Sequence, residues 1–178
     1  GLPDGAVVGT SSVRRAAFIR KRYPKLICRS VRGNLQTRLR KLNDPKGSFD
    51  ALVLAVAGLK RLGWSDKIEA VLEWMPYGVG QGALGIECRQ DDAEVRRMLR
   101  AATEHAPSSW RCRAERAVMR MLQGGCQAPI GVLSELSPGT LRVEAFVLSA
   151  DGSKGVDASM KTACASNEDA VAIGTAIG

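Results

Sequence analysis

The sequence predicts an α/β fold in which a domain with a parallel sheet is followed by a smaller α+β domain with an antiparallel sheet. Near the start, three apolar segments alternate with segments of helical periodicity, which is the pattern of parallel strands joined by helical crossovers. Further along, Pro-Gly and Asp-Gly turns join apolar segments, and such turns connect antiparallel neighbours. We expect the parallel-sheet domain at residues 1–82, a hinge and linking segment at 83–106, and the smaller domain at 107–178.

The parallel-sheet domain is predicted from its buried strands and capped helices. The strand at residues 51–57 is a continuous apolar run, which is typical of parallel strands covered on both faces. Thr10 and Ser12 provide N-cap hydroxyls before the first helix, and Pro24 closes that helix. We therefore predict strands at residues 6–9, 25–31 and 51–57 and helices at 13–22 and 35–42.

The second half of the chain begins with a predicted hinge. Residues 76–82 are rich in glycine and contain a proline, which marks a break between elements. Ser108 and Ser109 are placed to cap a long helix that runs to about Gln123. The other predicted elements are strands at 83–88, 129–135, 141–148 and 159–165 and helices at 93–103 and 167–178.

The charge balance favours an anionic partner. The chain carries 26 Lys and Arg against 18 Asp and Glu, and the net charge of +8 raises the local concentration of polycarboxylates or nucleic acid. Aromatic residues make up only 4% of the chain and are scattered, which is not typical of proteins that stack bases. No apolar run approaches the roughly 18 residues of a membrane span. We expect neither a nucleic-acid nor a membrane partner.

Cysteine and histidine usage predicts no metal site and a reducing compartment. The five cysteines form no Cys-x-x-Cys pair, and the single histidine, His105, is interpreted as an exposed linker residue. With no signal peptide visible, we expect a cytoplasmic protein, or a plastid one in a photosynthetic eukaryote. The chain lacks an initiator Met and its last helix stops without a C-cap partner, so we expect both ends to be truncations.

Thr10, Ser12, Arg14 and Arg15 form the first candidate site, where a predicted strand runs into a helix. Free backbone N–H groups and the helix dipole favour an anion at such a junction. Arginine suits bidentate recognition of carboxylate or phosphate better than lysine does. A capped helix with a solvated basic face explains the same motif, so this motif alone leaves both interpretations open.

Basic residues also follow the next two predicted strands. Arg32 ends the second strand, Arg38 lies about one turn into the following helix, and Arg61 follows the third strand. Ligands of open parallel sheets bind at the carboxyl ends of the strands, so these residues are expected to converge with Arg14 and Arg15 on one crevice. The number of arginines favours a polyanionic ligand.

Cys126 is the candidate covalent site. It lies in the glycine-containing loop at residues 123–129, where the thiol is predicted to be accessible as a nucleophile or an attachment point. An incidental cysteine is the alternative interpretation. The other cysteines fall in predicted strands or helices, where a core position is expected: Cys28, Cys88, Cys112 and Cys164.

The chain also carries a series of longer motifs. Residues 9–15 read Gly-Thr-Ser-Ser-Val-Arg-Arg, and residues 122–131 read Leu-Gln-Gly-Gly-Cys-Gln-Ala-Pro-Ile-Gly. Between them, in order, are the motifs at 29–34, 54–63, 79–87 and 114–117. Together these motifs resemble the porphobilinogen deaminase family, and the resemblance spans nearly the whole chain.

The resemblance implies an activity and a set of roles. The fold would be a parallel-sheet domain like that of periplasmic binding proteins, and the activity that of a hydroxymethylbilane synthase, which joins four porphobilinogen units head to tail with release of ammonia. Cys126 would carry a dipyrromethane cofactor through a thioether bond. The residues implied to bind the cofactor are Thr10, Ser12, Arg14, Arg15, Arg32 and Arg38. Those implied to bind the substrate are Arg14, Arg15, Arg32, Arg38 and Arg61.

The resemblance also implies a missing catalytic group. The family's catalytic aspartate lies in a segment resembling His-Ser-Met-Lys-Asp, which does not occur in this sequence. We therefore expect no catalytic residue in this chain, no turnover by the chain alone, and an absent N-terminal domain that residues 80–103 would partly complete. The implied partner is porphobilinogen, and the full-length protein is expected to be a monomer. The alternatives are a non-enzymatic anion-binding module of the solute-binding type and a nucleic-acid-binding protein.

Overall fold

Short strands and helices alternate through the first part of the chain in the computed structural model, which describes residues 1–125 and 127–178. The strands are β1 (Val7–Gly9), β2 (Ile27–Arg29), β3 (Ala51–Leu52), β4 (Ile130–Ser137), β5 (Thr140–Leu148) and β6 (Gly155–Ala163). The helices are α1 (Val13–Arg22), α2 (Leu35–Leu42), α3 (Val56–Arg61), α4 (Ala93–Thr103), α5 (Ala106–Met121) and α6 (Asn167–Ile177), with a 3-10 turn at Ser65–Lys67.

The described residues divide into two compact units. The first unit comprises Gly1–Pro76 with the short segments Gly125–Pro129 and Val147–Val156. The second unit comprises Tyr77–Gly124, Ile130–Phe146 and Asp157–Gly178. The first crossing of the chain from one unit to the other lies between Pro76 and Tyr77, within the segment that the sequence predicts as a hinge.

The first unit contains a parallel sheet with the strand order β2-β1-β3. In the parallel register, Val7 of β1 lies opposite Ile27, and Val8 lies opposite Ala51. Helix α1 contacts this sheet and buries residues 16–19. A Cβ at Gly9 would lie 2.5 Å from the Leu52 side chain, so glycine permits β1 and β3 to approach this closely. The predicted α/β architecture is confirmed.

Local sequence signals located three helices correctly. α1, α2 and α4 begin and end at the predicted residues. The side chains of Ser12, Asn34 and Asp92 each accept a hydrogen bond from a backbone N–H in the first turn of the helix that follows. These caps satisfy N–H groups that have no partner inside the helix, which is why the helices begin where they do.

The third strand is shorter than predicted. β3 spans only 2 residues, and α3 begins at Val56, inside the segment predicted as a strand at 51–57. The N–H of Val53 still donates to the carbonyl of Gly9 at 3.0 Å, after which the chain turns into the helix. A short apolar run is compatible with either a strand or a buried helix, and periodicity alone does not separate the two.

The strand predicted at residues 83–88 is wrong. This segment has no regular structure, and the side chains of Leu84 and Ile86 are 82% and 55% exposed. A strand needs a neighbour to satisfy its backbone N–H and carbonyl groups. Neither of the two sheets in the described residues includes this segment, so its backbone has no strand partner among those residues.

The second unit packs α5 and α6 together over an antiparallel sheet with the order β4-β5-β6. Its core includes Val118 of α5, Leu141 of β5 and Ile173 of α6. A Cβ at Gly174 would overlap the carbonyl oxygen of Ala114, so glycine allows the two helices to approach closely. Short turns join consecutive strands of this sheet, and the predicted α+β arrangement is confirmed.

Helix α5 begins earlier than predicted. Ser108 and Ser109, which the sequence suggests as capping residues, lie within its first turn, and His105 occupies the N-cap position. His105 is exposed, as predicted, and its Nδ1 lies 2.9 Å from the Oγ of Ser108. Pro107 belongs in this first turn because its fixed φ suits a helix start and its missing N–H is not needed there.

Candidate functional site

Thr10 and Ser12 lie where β1 ends and α1 begins. The N–H of the buried Thr10 donates to the carbonyl of Arg29 at 3.0 Å, which ties the end of β1 to the end of β2. Thr10 Oγ1 accepts from the N–H of Ser12 at 3.2 Å, and Ser12 Oγ accepts from the N–H of Arg15 at 3.3 Å. These two side chains hold the turn that places the N-terminus of α1 at the carboxyl edge of the sheet.

Arg14 and Arg15 lie in the first turn of α1 and are held by backbone carbonyls. Arg15 Nη1 donates to the carbonyl of Val53 at 3.1 Å, just beyond β3, and Arg14 Nη1 donates to the carbonyl of Pro76. Burial, and then the nearby charge of Arg15, lowers the pKa of Arg14 to about 10. Burial, and then the charge of Arg38, lowers the pKa of Arg15. A guanidinium with a pKa of about 10 is still a cation near neutral pH.

Arg38 lies in α2 and joins this group. Its Nε donates to the carbonyl of Gly33 at 2.8 Å, and its charge acts on Arg15. We call Arg14, Arg15 and Arg38 the arginine cluster. No ion pair connects Arg15 or Arg38 to an acidic side chain within residues 1–125 and 127–178. Arg15 and Arg38 repel each other and have no carboxylate partner in the described part of the chain, so an incoming anion would stabilise both.

Arg32 and Arg61 are both exposed, and no interaction of their guanidiniums with the arginine cluster is seen in the described residues. Arg32 lies between β2 and α2, and its carbonyl accepts from Lys41 Nζ at 3.1 Å. Arg61 is the last residue of α3. Both residues follow strands of the parallel sheet, as the sequence suggests, but their part in a binding site stays a prediction.

Cys126 lies outside the described residues, so its predicted role as the covalent site stays a prediction. Helix α5 ends at Met121, and Gln123 adopts a positive φ of 49°. The N–H of Gly124 then donates back to the carbonyl of Met119 at 3.0 Å. A left-handed residue therefore closes the helix just before the predicted attachment point.

A buried network around Glu115 in the second unit was missed by sequence reasoning. Glu115 is only 3% exposed, its Oε2 accepts from the N–H of Gly80 at 2.7 Å, and its Oε1 accepts from Ser134 Oγ. Arg111 donates from Nε to Ser134 Oγ at 3.0 Å and from Nη2 to Tyr77 Oη at 3.1 Å. Tyr77 Oη also accepts from the N–H of Ser134 at 2.7 Å. The carboxylate is thus fully engaged inside the protein.

One local signal could have pointed to this buried carboxylate. Glu115 lies between Ala114 and Ala117 on the apolar side of α5, and both alanines are buried. A charged side chain on an apolar helix face is buried only when hydrogen bonds satisfy it. Its partners, Tyr77 and Ser134, are far away in sequence, so no spacing rule identifies them.

Three further features of the structure bear on the predicted chemistry. No group of three or more His, Cys, Asp and Glu side chains comes together in the described part of the chain. Within that part, the cysteines at positions 28, 88, 112 and 164 are free. None of the helices described here is both long enough and apolar enough to cross a bilayer.

Comparisons with protein families match most of the chain. Residues 1–97 match the family model described as "Porphobilinogen deaminase, dipyromethane cofactor binding domain". Residues 109–178 match the model described as "Porphobilinogen deaminase, C-terminal domain". The first match contains the arginine cluster, and the second contains Cys126.

Individual relatives agree with these matches. A porphobilinogen deaminase of Gloeobacter violaceus is 54% identical in an alignment of 155 positions that covers 85% of this chain and 46% of that protein. One of Debaryomyces hansenii is 48% identical in an alignment of 181 positions that covers 99% of this chain and 50% of that protein. The chain therefore spans about half the length of the curated relatives it matches. On these matches, the chain belongs to the porphobilinogen deaminase family.

Proposed function

We propose that the arginine cluster binds the carboxylate groups of pyrrole rings during hydroxymethylbilane synthesis from porphobilinogen. Family membership supports the reaction, and the geometry of the first unit supports the role within it. The observation that carries the proposal is the group of Arg14, Arg15 and Arg38, in which Arg15 and Arg38 are held by carbonyl oxygens and lack a carboxylate partner among the described residues.

The chemistry of the donor set fits a dipyrromethane. Each pyrrole ring carries acetate and propionate, so two linked rings present several carboxylates to the protein. Guanidiniums bind carboxylates through paired N–H donors, and a helix N-terminus adds further N–H groups. We propose that the residues holding the cofactor are Thr10, Ser12, Arg14, Arg15, Arg32 and Arg38. When bound, the dipyrromethane supplies the primer to which pyrrole units are added.

The arginines orient their ligand and do not move protons. With its Nη1 engaged by the carbonyl of Val53, Arg15 keeps further N–H donors for a carboxylate, and Arg38 does likewise with its Nε on Gly33. The carbonyls of Val53 and Gly33 lie in the backbone just after β3 and β2. The hydrogen bonds to these carbonyls therefore hold the guanidiniums of Arg15 and Arg38 in place before a ligand arrives. We extend the same carboxylate-binding role to Arg61, which follows β3 through α3.

We propose Cys126 as the covalent attachment point. Four other cysteines are described, and burial raises the pKa of Cys28, Cys112 and Cys164, which disfavours their reactive thiolate forms. Cys88 is exposed, so it is the main competitor and the natural control.

The free cysteines also support the proposal of a cytoplasmic location, since disulfides are rare in reducing compartments.

Intact-mass measurement tests this proposal directly. The chain is incubated with hydroxymethylbilane, and its mass is recorded after denaturation to detect covalently bound pyrroles. We expect an added mass that maps to the peptide containing Cys126, that disappears in Cys126→Ser, and that persists in Cys88→Ser. Arg15→Leu should reduce the loaded fraction. An added mass on Cys88, or none on the unmodified chain, would contradict the proposal.

A further inference from the structure

The segment at residues 74–76 contacts helix α1 at both ends of that helix. At the C-terminal end, the guanidinium carbon of Arg22 lies 4.8 Å from the centroid of the Trp74 ring and 5.7 Å from that of Tyr23. The two rings meet edge to face, with their centroids 5.8 Å apart. We call Arg22, Tyr23 and Trp74 the aromatic cluster. A cation over an aromatic ring and an edge-to-face ring pair are both favourable, so the cluster attaches Trp74 to the end of α1.

The N-terminal end of α1 holds the same segment two residues later. Arg14 lies in the first turn of α1, and its Nη1 donates to the carbonyl of Pro76. Between Arg14 and Arg22 the helix rises about 12 Å. Two residues of extended chain cover about 7 Å, and the two long arginine side chains cover the rest. The segment therefore lies alongside α1 and is fixed to it at two separate points.

The backbone between these two points is stiff. The ring of Pro76 fixes its own φ, and it restricts Met75 before it to extended conformations. The N–H of Met75 also donates to the carbonyl of Leu72 at 3.2 Å, which closes a turn that contains Trp74. Pro76 itself is buried. A displacement of Trp74 is therefore passed on to the Pro76 carbonyl, because few backbone torsions between them can absorb it.

The Pro76 carbonyl in turn helps to hold the Arg14 guanidinium. An arginine side chain has many rotamers, and confining it to one of them costs conformational entropy. A contact that confines the side chain in the free protein removes this cost from ligand binding and so raises the affinity. The aromatic cluster lies at the opposite end of α1 from Arg14. Trp74, an uncharged residue, therefore influences a ligand at the arginine cluster through the segment.

We propose that Trp74 is a positioning residue for Arg14. Stacked on Arg22, it holds the Pro76 carbonyl in the place where that carbonyl orients the Arg14 guanidinium for a ligand carboxylate. This role rests on the proposed function, because it concerns how one member of the arginine cluster is prepared for binding. The rival explanation is that the aromatic cluster only closes the end of α1, in which case its loss lowers stability and leaves affinity unchanged.

Calorimetric titration of the 178-residue chain with porphobilinogen tests this role in a double-mutant cycle. Trp74→Ala should weaken binding about two- to fivefold, the factor that an exposed cation–π contact provides. In the Arg14→Leu background the same substitution should have no further effect, because the residue through which it acts is gone. Trp74→Phe keeps a ring beside Arg22 and should retain most of the affinity. Trp64→Ala removes a half-buried tryptophan of the same unit and should bind like the unmodified chain.

A second pair of variants makes the test independent of the loss of a large side chain. Arg22→Gln removes the cation from the Trp74 ring at an exposed position, so the chain should stay folded while the affinity falls by a similar factor. Lys21→Gln removes the same charge from the neighbouring exposed residue and should bind like the unmodified chain. Before ligand is added, the NMR signal of the Arg14 Nε–H should shift in Arg22→Gln and stay in place in Lys21→Gln.

The proposed role of Trp74 is overturned if Trp74→Ala and Arg22→Gln bind as tightly as the unmodified chain while Arg15→Leu loses affinity. That result would leave the proposed function standing. The role is overturned equally if Trp74→Ala weakens binding to the same extent with and without Arg14, since the effect would then take another route. If the unmodified chain binds no porphobilinogen, the proposed function is overturned, and the role of Trp74 with it.

Discussion

The first unit holds Arg15 and Arg38 against backbone carbonyls, whereas the second unit holds Arg111 among side chains that lead to the buried carboxylate of Glu115. Both arrangements fix a guanidinium in place. In the second unit the positive charge is balanced within the network. In the first unit neither Arg15 nor Arg38 has a carboxylate partner among the described residues, so their charge is available to a ligand from outside.

This difference predicts that substitutions in the Glu115 network change the free energy of unfolding, whereas substitutions in the arginine cluster change the affinity for the ligand. Removing a member of the Glu115 network leaves buried polar groups without partners, which lowers the free energy of unfolding. Removing the guanidinium of Arg15 or Arg38 frees the carbonyl of Val53 or Gly33 and relieves repulsion between the two cations. The same residue type should therefore affect folding in one unit and ligand binding in the other.

The largest effect on stability is expected from Glu115→Ala. The substitution leaves the N–H of Gly80 and the hydroxyl of Ser134 without their buried acceptor, and we expect a loss of about 3 kcal/mol in the free energy of unfolding. Glu115→Gln keeps one acceptor and should lose less. Urea unfolding measures both values, and equal, small losses would show that the network contributes little.

A large effect on binding with little effect on stability is expected from Arg15→Leu and Arg38→Leu. Loss of a bidentate carboxylate partner should weaken binding of porphobilinogen at least about tenfold, while the free energy of unfolding changes by about 0.5 kcal/mol or less. Arg15→Lys should bind poorly as well, because an ammonium cannot reproduce the fork geometry. Calorimetric titration measures the affinity, and unchanged affinity in all three variants would show that Arg15 and Arg38 do not bind the ligand.

A smaller loss of stability is expected from Tyr77→Phe. The phenol oxygen accepts from the N–H of Ser134 and from Arg111, and the ring can stay in place when the hydroxyl is removed. We expect a loss of about 1–2 kcal/mol in the free energy of unfolding. Binding of porphobilinogen should be unaltered. A tenfold loss of affinity in this variant would mean that the second unit also serves the ligand.

The smallest effect on binding is expected at Ser12, where capping of the helix and binding of the ligand can be separated. Ser12→Asp keeps a good N-cap acceptor, so the free energy of unfolding should change by about 0.5 kcal/mol or less. The new carboxylate would compete with the ligand for the arginine cluster, so affinity should fall. Ser12→Ala should instead lose about 1 kcal/mol of stability. If Ser12→Asp binds as tightly as the unmodified chain, the ligand does not approach this helix start.

The features that were predicted correctly from the sequence are those that depend on interactions between residues close together in the chain. The bounds of α1 and α2 follow from the caps at Ser12 and Asn34, and these caps are local interactions. The strand predicted at residues 83–88 is wrong because a strand also requires a partner, which composition and alternation do not reveal. The early start of α3 within an apolar run is a similar failure, since a buried strand and a buried helix have similar patterns there.

In the candidate site, too, the features that depend on local sequence were predicted, and the contacts between distant residues were not. The order of strands and helices was sufficient to place Arg14, Arg15 and Arg38 at one edge of the sheet. The carbonyls of Val53 and Pro76 that hold two of these guanidiniums could not be predicted, because tertiary folding brings them there. The Glu115 network was missed for the same reason, since its members come from the hinge segment, α5 and β4.

Arginine side-chain NMR during a titration with porphobilinogen shows which guanidiniums contact the ligand. The Nε–H signals of Arg15 and Arg38, assigned through the Arg15→Lys and Arg38→Lys variants, are followed together with that of Arg111. We predict that the Arg15 and Arg38 signals shift and saturate together, while the Arg111 signal stays unchanged. Saturable shifts at Arg111 with none at Arg15 and Arg38 would show that the ligand does not bind the arginine cluster.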